Sequence, residues 1–346
     1  MKKYFIDPKL EWHKANMHTH TNLSDGYFSP EQIKKIYMEH GYSIVCFTDH
    51  EVIFDNSYLT DDKFVAITGK EHSITQYVDK DGNPLKWRDM KTVHLNFFAK
   101  DPHNLQHVCM DYDHASEKQR KQFKERHGFD IPVDHYHGEF SQETLQNIIN
   151  KANSAGFLVQ FNHPNWSLNT REDYINLKGL WGFEIYNYLT DLETGAEYCP
   201  NIYDDMLRHG HRLFCTMGDD NHNYQGSLEG SFGGFTYIGV PKLTYENVIK
   251  ALENGCFYCS MGPVIKSMYY DSEDKKVHIE CSEAEDIVLV GYNRHFLHVY
   301  GENLTHAEFE INGEEVYVRI SIKDKNNRWA NTNPIYIEEL KEGSYE

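Results

Sequence analysis

Short apolar runs alternate with amphipathic stretches over the first two thirds of the chain. Residues 29–41 and 141–156 have the pattern of helices, each with a serine as N-cap residue (Ser29 and Ser141) and a glycine at its end. Runs rich in Val, Ile, Leu and Phe predict buried strands at residues 43–50, 63–72, 92–99, 156–164, 182–187 and 212–222. This alternation predicts an α/β fold with a mostly parallel sheet or barrel.

Two stretches depart from this pattern. Residues 101–140 are polar and lack a strand pattern, so they predict an inserted loop or small helical cap, a kind of segment that often covers an active site. After about residue 263, apolar and polar positions alternate in residues 275–283, 286–292, 307–313 and 314–324, with turn residues between the segments and no long helix, which predicts a small antiparallel β-sandwich of Ig-like type. We therefore predict two domains, residues 1–262 and 263–346, with 101–140 inserted in the first.

The charge and hydropathy of the chain exclude several kinds of partner. Its 346 residues include 53 acidic and 34 basic ones, for a formal net charge of −19. This excess repels a polyphosphate backbone, so we expect no long nucleic acid as partner. No apolar run approaches the roughly 20 residues of a membrane helix, and the amino terminus lacks the apolar core of a signal peptide. We expect a cytoplasmic protein with no membrane partner.

Histidine is unusually frequent, and 17 of the 21 histidines lie at or before His222. Histidine is the commonest metal ligand in proteins. Because residues two apart on a strand face the same side, His18 with His20, and Asp220 with His222, can each direct two ligands into one cavity. Nitrogen and carboxylate donors without thiolates suit zinc, manganese or iron rather than calcium. Such groups lie at the carboxyl ends of strands, where ligands bind in a parallel α/β fold: His18-Thr-His20, Thr48-Asp49-His50, Glu71-His72, Asn162-His163-Pro164, Glu184 and Asp220-Asn221-His222.

The order of these motifs resembles that of the PHP (polymerase and histidinol phosphatase) family, over residues from about 15 to 262. The motifs are HTHTNLSDG (18–26), FTDH (47–50), KEHS (70–73), VHLNFF (93–98), FNHPNW (161–166), FEIYN (183–187) and GDDNH (218–222). The resemblance implies a distorted (β/α)7 barrel, here followed by the antiparallel β-sandwich, and a trinuclear metal cluster that hydrolyses phosphoesters. The metal ligands that it implies are His18, His20, Asp25, His50, Glu71, His94, His163, Asp220 and His222.

Three divalent ions (Mn, Zn or Fe) are the implied cofactors, with Glu71 bridging two of them. Three carboxylates and three divalent ions leave the cluster cationic, so an anionic substrate can be attacked by a metal-bridging hydroxide. The candidates for orienting a ligand or transferring a proton are Asp49, His72 and Glu184. For Asp49 we favour orienting a ligand histidine, whereas His72 fits structural packing equally well. The candidate substrate contacts are Lys70, Arg88, Lys91, Asn165, Arg171, Tyr186 and Asn187.

One departure from the family pattern leaves the substrate open. Relatives that cleave nucleotide phosphates carry an arginine after the His-Pro dipeptide, whereas here Pro164-Asn165-Trp166-Ser167 follows and Arg171 is the nearest arginine. The leading hypothesis is metal-dependent hydrolysis of a small phosphomonoester or short nucleotide. The alternatives are metal-dependent hydrolysis of a cyclic phosphodiester or another bond such as an amide, and a non-catalytic binding module. The carboxy-terminal domain is expected to serve packing or homo-oligomer formation.

Overall fold

The computed structural model describes residues 1–136, 138–294 and 296–341, which form sixteen strands and eight α-helices. The last five residues of the predicted second domain lie outside this range. The strands are β1 Lys2–Ile6, β2 Glu11–Asn16, β3 Tyr42–Phe47, β4 Val65–Thr75, β5 Thr92–Ala99, β6 Phe157–Phe161, β7 Gly182–Asn187, β8 Phe214–Gly218, β9 Phe235–Val240, β10 Phe257–Ser260, β11 Ile265–Asp271, β12 Lys276–Gly291, β13 Phe296–Glu310, β14 Tyr317–Lys323, β15 Trp329–Thr332 and β16 Ile335–Tyr336. The helices are α1 Pro30–Glu39, α2 Glu117–His127, α3 Gln142–Ser154, α4 Arg171–Tyr174, α5 Tyr188–Thr194, α6 Pro200–Arg208, α7 Tyr245–Glu253 and α8 Glu338–Lys341.

Both helices predicted from the sequence are confirmed, and their first turns explain where they begin. The Ser29 side chain accepts a hydrogen bond from the backbone N–H of Gln32, whose own side chain accepts from the Ser29 N–H. This reciprocal pair satisfies two N–H groups that the helix itself leaves unpaired. Ser141 likewise accepts from the Thr144 N–H at the start of α3. Among the described residues, no helix has the length and apolar character needed to cross a membrane.

Strands β2 to β8 lie side by side in chain order, and their first and last members come together again. The chain just beyond β2 and the chain just beyond β8 meet in a parallel bridge between Thr19 and Asn221. The pairs β2–β3, β3–β4, β6–β7 and β7–β8 are parallel, as predicted, but β5 is antiparallel to both its neighbours. The connection from β4 to β5 carries only a short 3₁₀ turn, and antiparallel strands need no crossover helix.

The strands after residue 263 are antiparallel, as the alternating pattern predicts, but they continue the same sheet order. β15 pairs with β10, and β1 pairs with β11, so hydrogen-bonded neighbours cross the boundary predicted at residue 262. Strand β12 is a single strand of 16 residues, whereas the pattern predicts two shorter ones. A buried ion pair also joins the two parts of the chain: the Arg319 guanidinium donates two hydrogen bonds of 2.7 Å to the carboxylate of Asp204 on α6.

The polar segment 101–140 contains helix α2, which packs over the loops that follow β2 and β3. Its Phe123 is buried in an apolar cluster with Leu23, Val52 and Phe54. From the same helix, the side-chain amide of Gln119 donates to the backbone carbonyl of His50 at 2.7 Å. The segment therefore lies directly against two loops that carry predicted site residues.

Candidate metal centre

The structure brings all nine predicted metal ligands into one cluster at one edge of the β2–β8 strands. Most follow strands that end there. His94 lies near the beginning of β5, but this strand runs in the opposite direction, so its first residues reach the same edge. Four groups of donors have ligand atoms within 4.8 Å of one another and could each hold a metal ion: His20, Asp25, His50 and His222; His18, His20, Glu71 and Asp220; His18, His163 and Glu184; Glu71, His94 and His163.

The buried carboxylate of Glu71 is the centre of this cluster. Besides the imidazoles around it, Asn162 donates a side-chain hydrogen bond of 3.0 Å to Oε1. Burial raises the pKa of Glu71, but the charges of His94 and His18 outweigh it and hold that pKa well below the usual range. Five imidazole nitrogens lie within 3.4 Å of its oxygens: Nε2 of His18 (3.3 Å), Nε2 of His20 (3.4 Å), Nδ1 of His50 (3.2 Å), Nδ1 of His94 (3.0 Å) and Nε2 of His163 (3.0 Å).

Asp220 faces two of these imidazoles without completing ordinary hydrogen bonds. Its Oδ1 lies 2.9 Å from Nε2 of His20 and 3.2 Å from Nε2 of His18, and these two nitrogens are only 3.2 Å apart. Within the described part of the chain, neither Asp220 Oδ1 nor His20 Nδ1 has a hydrogen-bond partner of suitable geometry, although both are buried. Buried polar atoms are normally paired. Donor atoms that converge without pairing fit a cation held between them.

Three histidines of the cluster, His18, His20 and His163, have an electrostatic preference for positive charge, whereas burial and the charge of His20 lower the pKa of His50 to about 4. Burial lowers the pKa of His20, but the carboxylates of Asp220 and Glu71 outweigh it and raise the pKa to about 10. Glu71 in the same way raises the pKa of His163 to about 9 against the effect of burial. A site whose carboxylates stabilise added positive charge to this degree also favours a bound cation.

Asp25 forms an outer group of donors with three imidazoles. Its carboxylate oxygens lie 3.6 Å from Nδ1 of His20, 3.6 Å from Nε2 of His50 and 3.4 Å from Nε2 of His222. The His20 and His222 rings stack with their centroids 4.1 Å apart. Half of the Asp25 side chain is exposed, so this group is the part of the cluster that opens to solvent.

Glu184 is fully buried and holds two of the candidate ligands. Its Oε1 lies 3.0 Å from Nδ1 of His18, and its Oε2 accepts from the backbone N–H of His163 at 3.2 Å. Asn187 donates to Glu184 at 3.0 Å and to Asp220 at 3.1 Å, so it bridges two site carboxylates. These contacts agree with the orienting role expected for Glu184 and bring Asn187 to the site.

Asp49 orients a turn and not a histidine, which corrects the role that we favoured for it. Its buried carboxylate accepts hydrogen bonds from the backbone N–H and hydroxyl of Thr21 and from the backbone N–H and hydroxyl of Ser24. These four bonds fix the turn that carries Asp25. Asp49 therefore acts on the cluster through the backbone.

Lys70 and His72 flank Glu71 on β4 and face the opposite side of the strand, because successive side chains alternate. His72 Nδ1 lies 2.7 Å from the carboxylate of Glu51 and 3.4 Å from Nζ of Lys70. Lys70 is fully buried behind the cluster, so the predicted phosphate contact of Lys70 is wrong, and the predicted proton transfer by His72 is wrong for the same reason. The packing alternative holds for His72.

Other predicted substrate contacts are already engaged. Lys91 pairs with Asp173 and Arg171 pairs with Asp205, both at 2.7 Å, so neither cation is directed at the cluster. Arg88 lies in the exposed turn Trp87–Asp89, and its contact with substrate stays a prediction.

Asn165 and Tyr186 bind other parts of the protein. The Asn165 side chain donates to the backbone carbonyl of Ala196, and the Tyr186 hydroxyl donates to Asp191 at 3.3 Å. Burial, reinforced by the charge of Asp191, raises the pKa of Tyr186, so this side chain remains a neutral phenol. Substrate contacts of these two side chains are therefore not supported by their hydrogen bonds.

Sequence reasoning assigned no role to several residues that complete the site. Asn162 contacts Glu71, and the Ser167 hydroxyl lies 3.0 Å from Nδ1 of His163. The rings of Trp166 and Tyr224 lie against histidines of the cluster. All four are within four residues of a predicted ligand, which is the signal that could have identified them.

No protein-family model and no curated protein matches the chain. Among solved structures, a two-domain protein from Bacteroides vulgatus with a predicted PHP-like metal-dependent phosphoesterase is similar over 92% of this chain and 92% of its own, at 12% identity and a TM-score of 0.41.

Two further solved structures are similar to this chain. One, from Bifidobacterium adolescentis and assigned as a metal-dependent phosphoesterase, aligns over 68% of this chain and 91% of its own, at 18% identity and a TM-score of 0.37. The other is an amidohydrolase from Chromobacterium violaceum with bound sulfate and no metal, aligned over 70% and 96% at 15% identity and a TM-score of 0.40.

Proposed function

We propose that this protein is a metal-dependent phosphoesterase that hydrolyses a small phosphomonoester or short nucleotide. The observation that carries the proposal is the buried Glu71 carboxylate with five imidazole nitrogens within 3.4 Å of its oxygens. Buried polar atoms are normally paired, whereas beside this carboxylate His20 Nδ1 and Asp220 Oδ1 have no hydrogen-bond partner among the described residues. Strands β2 to β8 are seven in number, and the segments that follow the first and the last of them meet in the bridge between Thr19 and Asn221. This closure supports the distorted barrel implied by the motifs.

The donor set suits three divalent ions of the manganese, zinc or iron type. The outer group, centred on Asp25, would hold one ion, and the two groups that share Glu71 would hold the other two. When bound, such ions lower the pKa of a coordinated water towards about 7 and polarise phosphoryl oxygens. The protein's own residues hold the ligands in place: Glu184 orients His18, and Ser167 contacts His163.

The test is phosphate release by protein stripped with a chelator and reloaded with manganese. Wild-type protein is expected to hydrolyse p-nitrophenyl phosphate only when loaded, and His20→Ala to lose at least about a hundredfold in kcat/KM, since it removes a donor shared by two groups. The matched control is His306→Ala, an exposed histidine on β13. Hydrolysis that survives chelation, or that His20→Ala leaves unchanged, would refute the proposal.

Hydrolysis of a bond other than a phosphomonoester is the second candidate, favoured by one observation. Three of the four basic residues predicted to contact substrate are engaged elsewhere: Lys91 pairs with Asp173, Arg171 pairs with Asp205, and Lys70 is buried behind Glu71. The two negative charges of a phosphomonoester would then be matched by the bound ions alone. A cyclic phosphodiester, with one negative charge, or a neutral amide requires less positive charge from the site. Loaded protein that cleaves bis-p-nitrophenyl phosphate or p-nitroacetanilide faster than the monoester would favour this candidate.

A further inference from the structure

The chain makes a strained turn directly after the candidate ligand His50. The backbone carbonyl of His50 accepts a hydrogen bond of 2.7 Å from the N–H of Val52, which closes a three-residue turn, and Glu51 at its centre has a φ angle of 61°. A three-residue turn with positive φ is rare, and a residue with a Cβ atom adopts it only where its surroundings hold it. The position of the His50 imidazole therefore depends on what fixes this turn.

Strand β4 fixes one side of the turn. The N–H of Glu51 donates to the backbone carbonyl of Glu71 at 2.8 Å. The Glu51 carboxylate accepts from the N–H of Ser73 at 2.8 Å and lies 2.7 Å from Nδ1 of His72. These three contacts attach Glu51 to the strand, and the carbonyl of His50 takes part in none of them.

Gln119 of helix α2 contacts that carbonyl from the inserted segment. Its side-chain Nε2 donates to the His50 carbonyl at 2.7 Å, and its Oε1 accepts from the backbone N–H of Ser116, the N-cap residue of α2, at 3.0 Å. Since a carbonyl can only accept and an N–H can only donate, these two partners fix the orientation of the amide. Gln119 is buried, so little water is available to replace either bond.

The same face of α2 also contacts the loop that carries Asp25. Phe123, one turn further along the helix, is buried in one apolar cluster with Leu23. The side-chain amide of Gln122 donates to the backbone carbonyl of Asn22 at 3.4 Å. Two of the four donors in the outer group therefore lie on loops that this one helix contacts.

We propose that Gln119 is a positioning residue for the ion of the outer group, and that helix α2 sets the affinity of this ion through the backbone of His50. This inference rests on the proposed function, because it requires the metal ions of that proposal. Glu71, His94 and His163 form a separate donor group on or directly after strands β4 to β6. Loss of the Gln119 amide is therefore expected to weaken binding of the outer ion and to leave the inner ions in place.

The test is a manganese-binding curve of the metal-free full-length protein, in which free manganese is measured by its electron paramagnetic resonance signal. Asp25→Asn removes a donor that belongs to the outer group alone, and so identifies the step of the curve that this group produces. Gln119→Met, which keeps the side-chain length without the amide, is expected to move the same step about three- to tenfold towards higher free manganese, the size of one hydrogen bond. Gln119→Ala is the second variant and is expected to do the same.

A variant in the same helix cap separates positioning of His50 from stabilisation of α2. Ser116→Ala removes the hydroxyl that accepts from the backbone N–H of Gln119 at 3.2 Å, whereas the backbone N–H of residue 116 still holds the Gln119 amide. If Gln119 acts only through the cap, Ser116→Ala moves the outer step as Gln119→Met does, which would overturn the positioning role. The expected result is an unchanged step. Lys121→Ala, an exposed position on the same helix, should leave the whole curve unchanged.

The inference is also overturned if both Gln119 variants, folded by circular dichroism, bind manganese as the wild type does, if they shift every step equally, or if the wild type binds no manganese. Because the curve is measured without turnover, it is decided separately from hydrolysis. A shifted outer step without hydrolysis of p-nitrophenyl phosphate overturns the phosphoesterase proposal alone. Hydrolysis with an unshifted step overturns the positioning role of Gln119 alone.

Discussion

Glu184 is fully buried and contacts three residues of the site, His18, His163 and Asn187. Its Oε1 lies 3.0 Å from Nδ1 of His18, and its Oε2 accepts from the His163 backbone N–H and from the Asn187 amide. A carboxylate that accepts the Nδ1 proton leaves Nε2 of the same imidazole free to bind a metal. Glu184→Gln, which preserves the side-chain volume, is therefore expected to weaken metal binding.

The size of the effect follows from the two ways in which glutamine can be placed. If its amide NH₂ faces His18, Nδ1 must become an acceptor and the proton moves to Nε2, which then points at Asp220 and Glu71. If the NH₂ faces the opposite side, it meets the N–H donors of His163 and Asn187. Either orientation removes a well-made contact behind a ligand, for which a loss of 10- to 100-fold in metal affinity is typical, or about 1.4 to 2.8 kcal/mol.

Calorimetric titration of the metal-free protein with manganese measures this loss directly. The control is Glu253→Gln, which removes a surface carboxylate that pairs with Lys100 and belongs to none of the four donor groups. Circular dichroism establishes that both variants are folded. If Glu184→Gln binds manganese as tightly as the control does, His18 is not a ligand held through Nδ1, and the reasoning fails.

Two further predictions concern stability. Arg319→Met leaves the Asp204 carboxylate buried and unpaired and should lower the free energy of unfolding by about 3–5 kcal/mol in urea titrations; full stability in this variant would contradict the assigned role of the pair. Burial, followed by the positive charge of Lys70, lowers the pKa of His107 to about 3. The contribution of the neutral His107 imidazole to the free energy of unfolding is therefore complete above its usual pKa near 6.5 and is lost as the pH falls towards 3. The wild type should therefore lose up to about 1.4 kcal/mol per pH unit more than His107→Gln between pH 6 and 4, and parallel pH profiles would exclude a neutral buried imidazole.

The nine candidate ligands come from motifs whose order resembles that of the PHP family, and the structure brings these residues together, while their binding of metal stays a prediction. The direction of β5 could not be predicted, since its eight residues are all buried and carry no period that separates parallel from antiparallel pairing. Lys70 is a different case. It precedes Glu71 on a strand, and the twofold alternation of side chains already directs the two residues to opposite faces.

The continuous sheet order is likewise hidden from local patterns. Strand β1 pairs with β11, and β15 pairs with β10, over separations of more than 70 residues that no run of apolar positions encodes. Strand β12 was predicted as two strands because the polar residues around Glu283 resemble a turn. In the structure this stretch lies at register shifts between β12 and β13, where bulged residues leave the ladder without ending the strand.

The candidate ligands are held in two ways, which have different consequences for the metals that we propose they bind. Glu71 lies on a strand and His163 directly after one, and both are buried among neighbours that hydrogen-bond them. Asp25 lies on a turn, half exposed, and depends on the four hydrogen bonds that Asp49 accepts from Thr21 and Ser24. Ligands on rigid elements lose less freedom when they bind, so an ion bound by the proposed outer group is expected to be the first to leave as free metal is lowered.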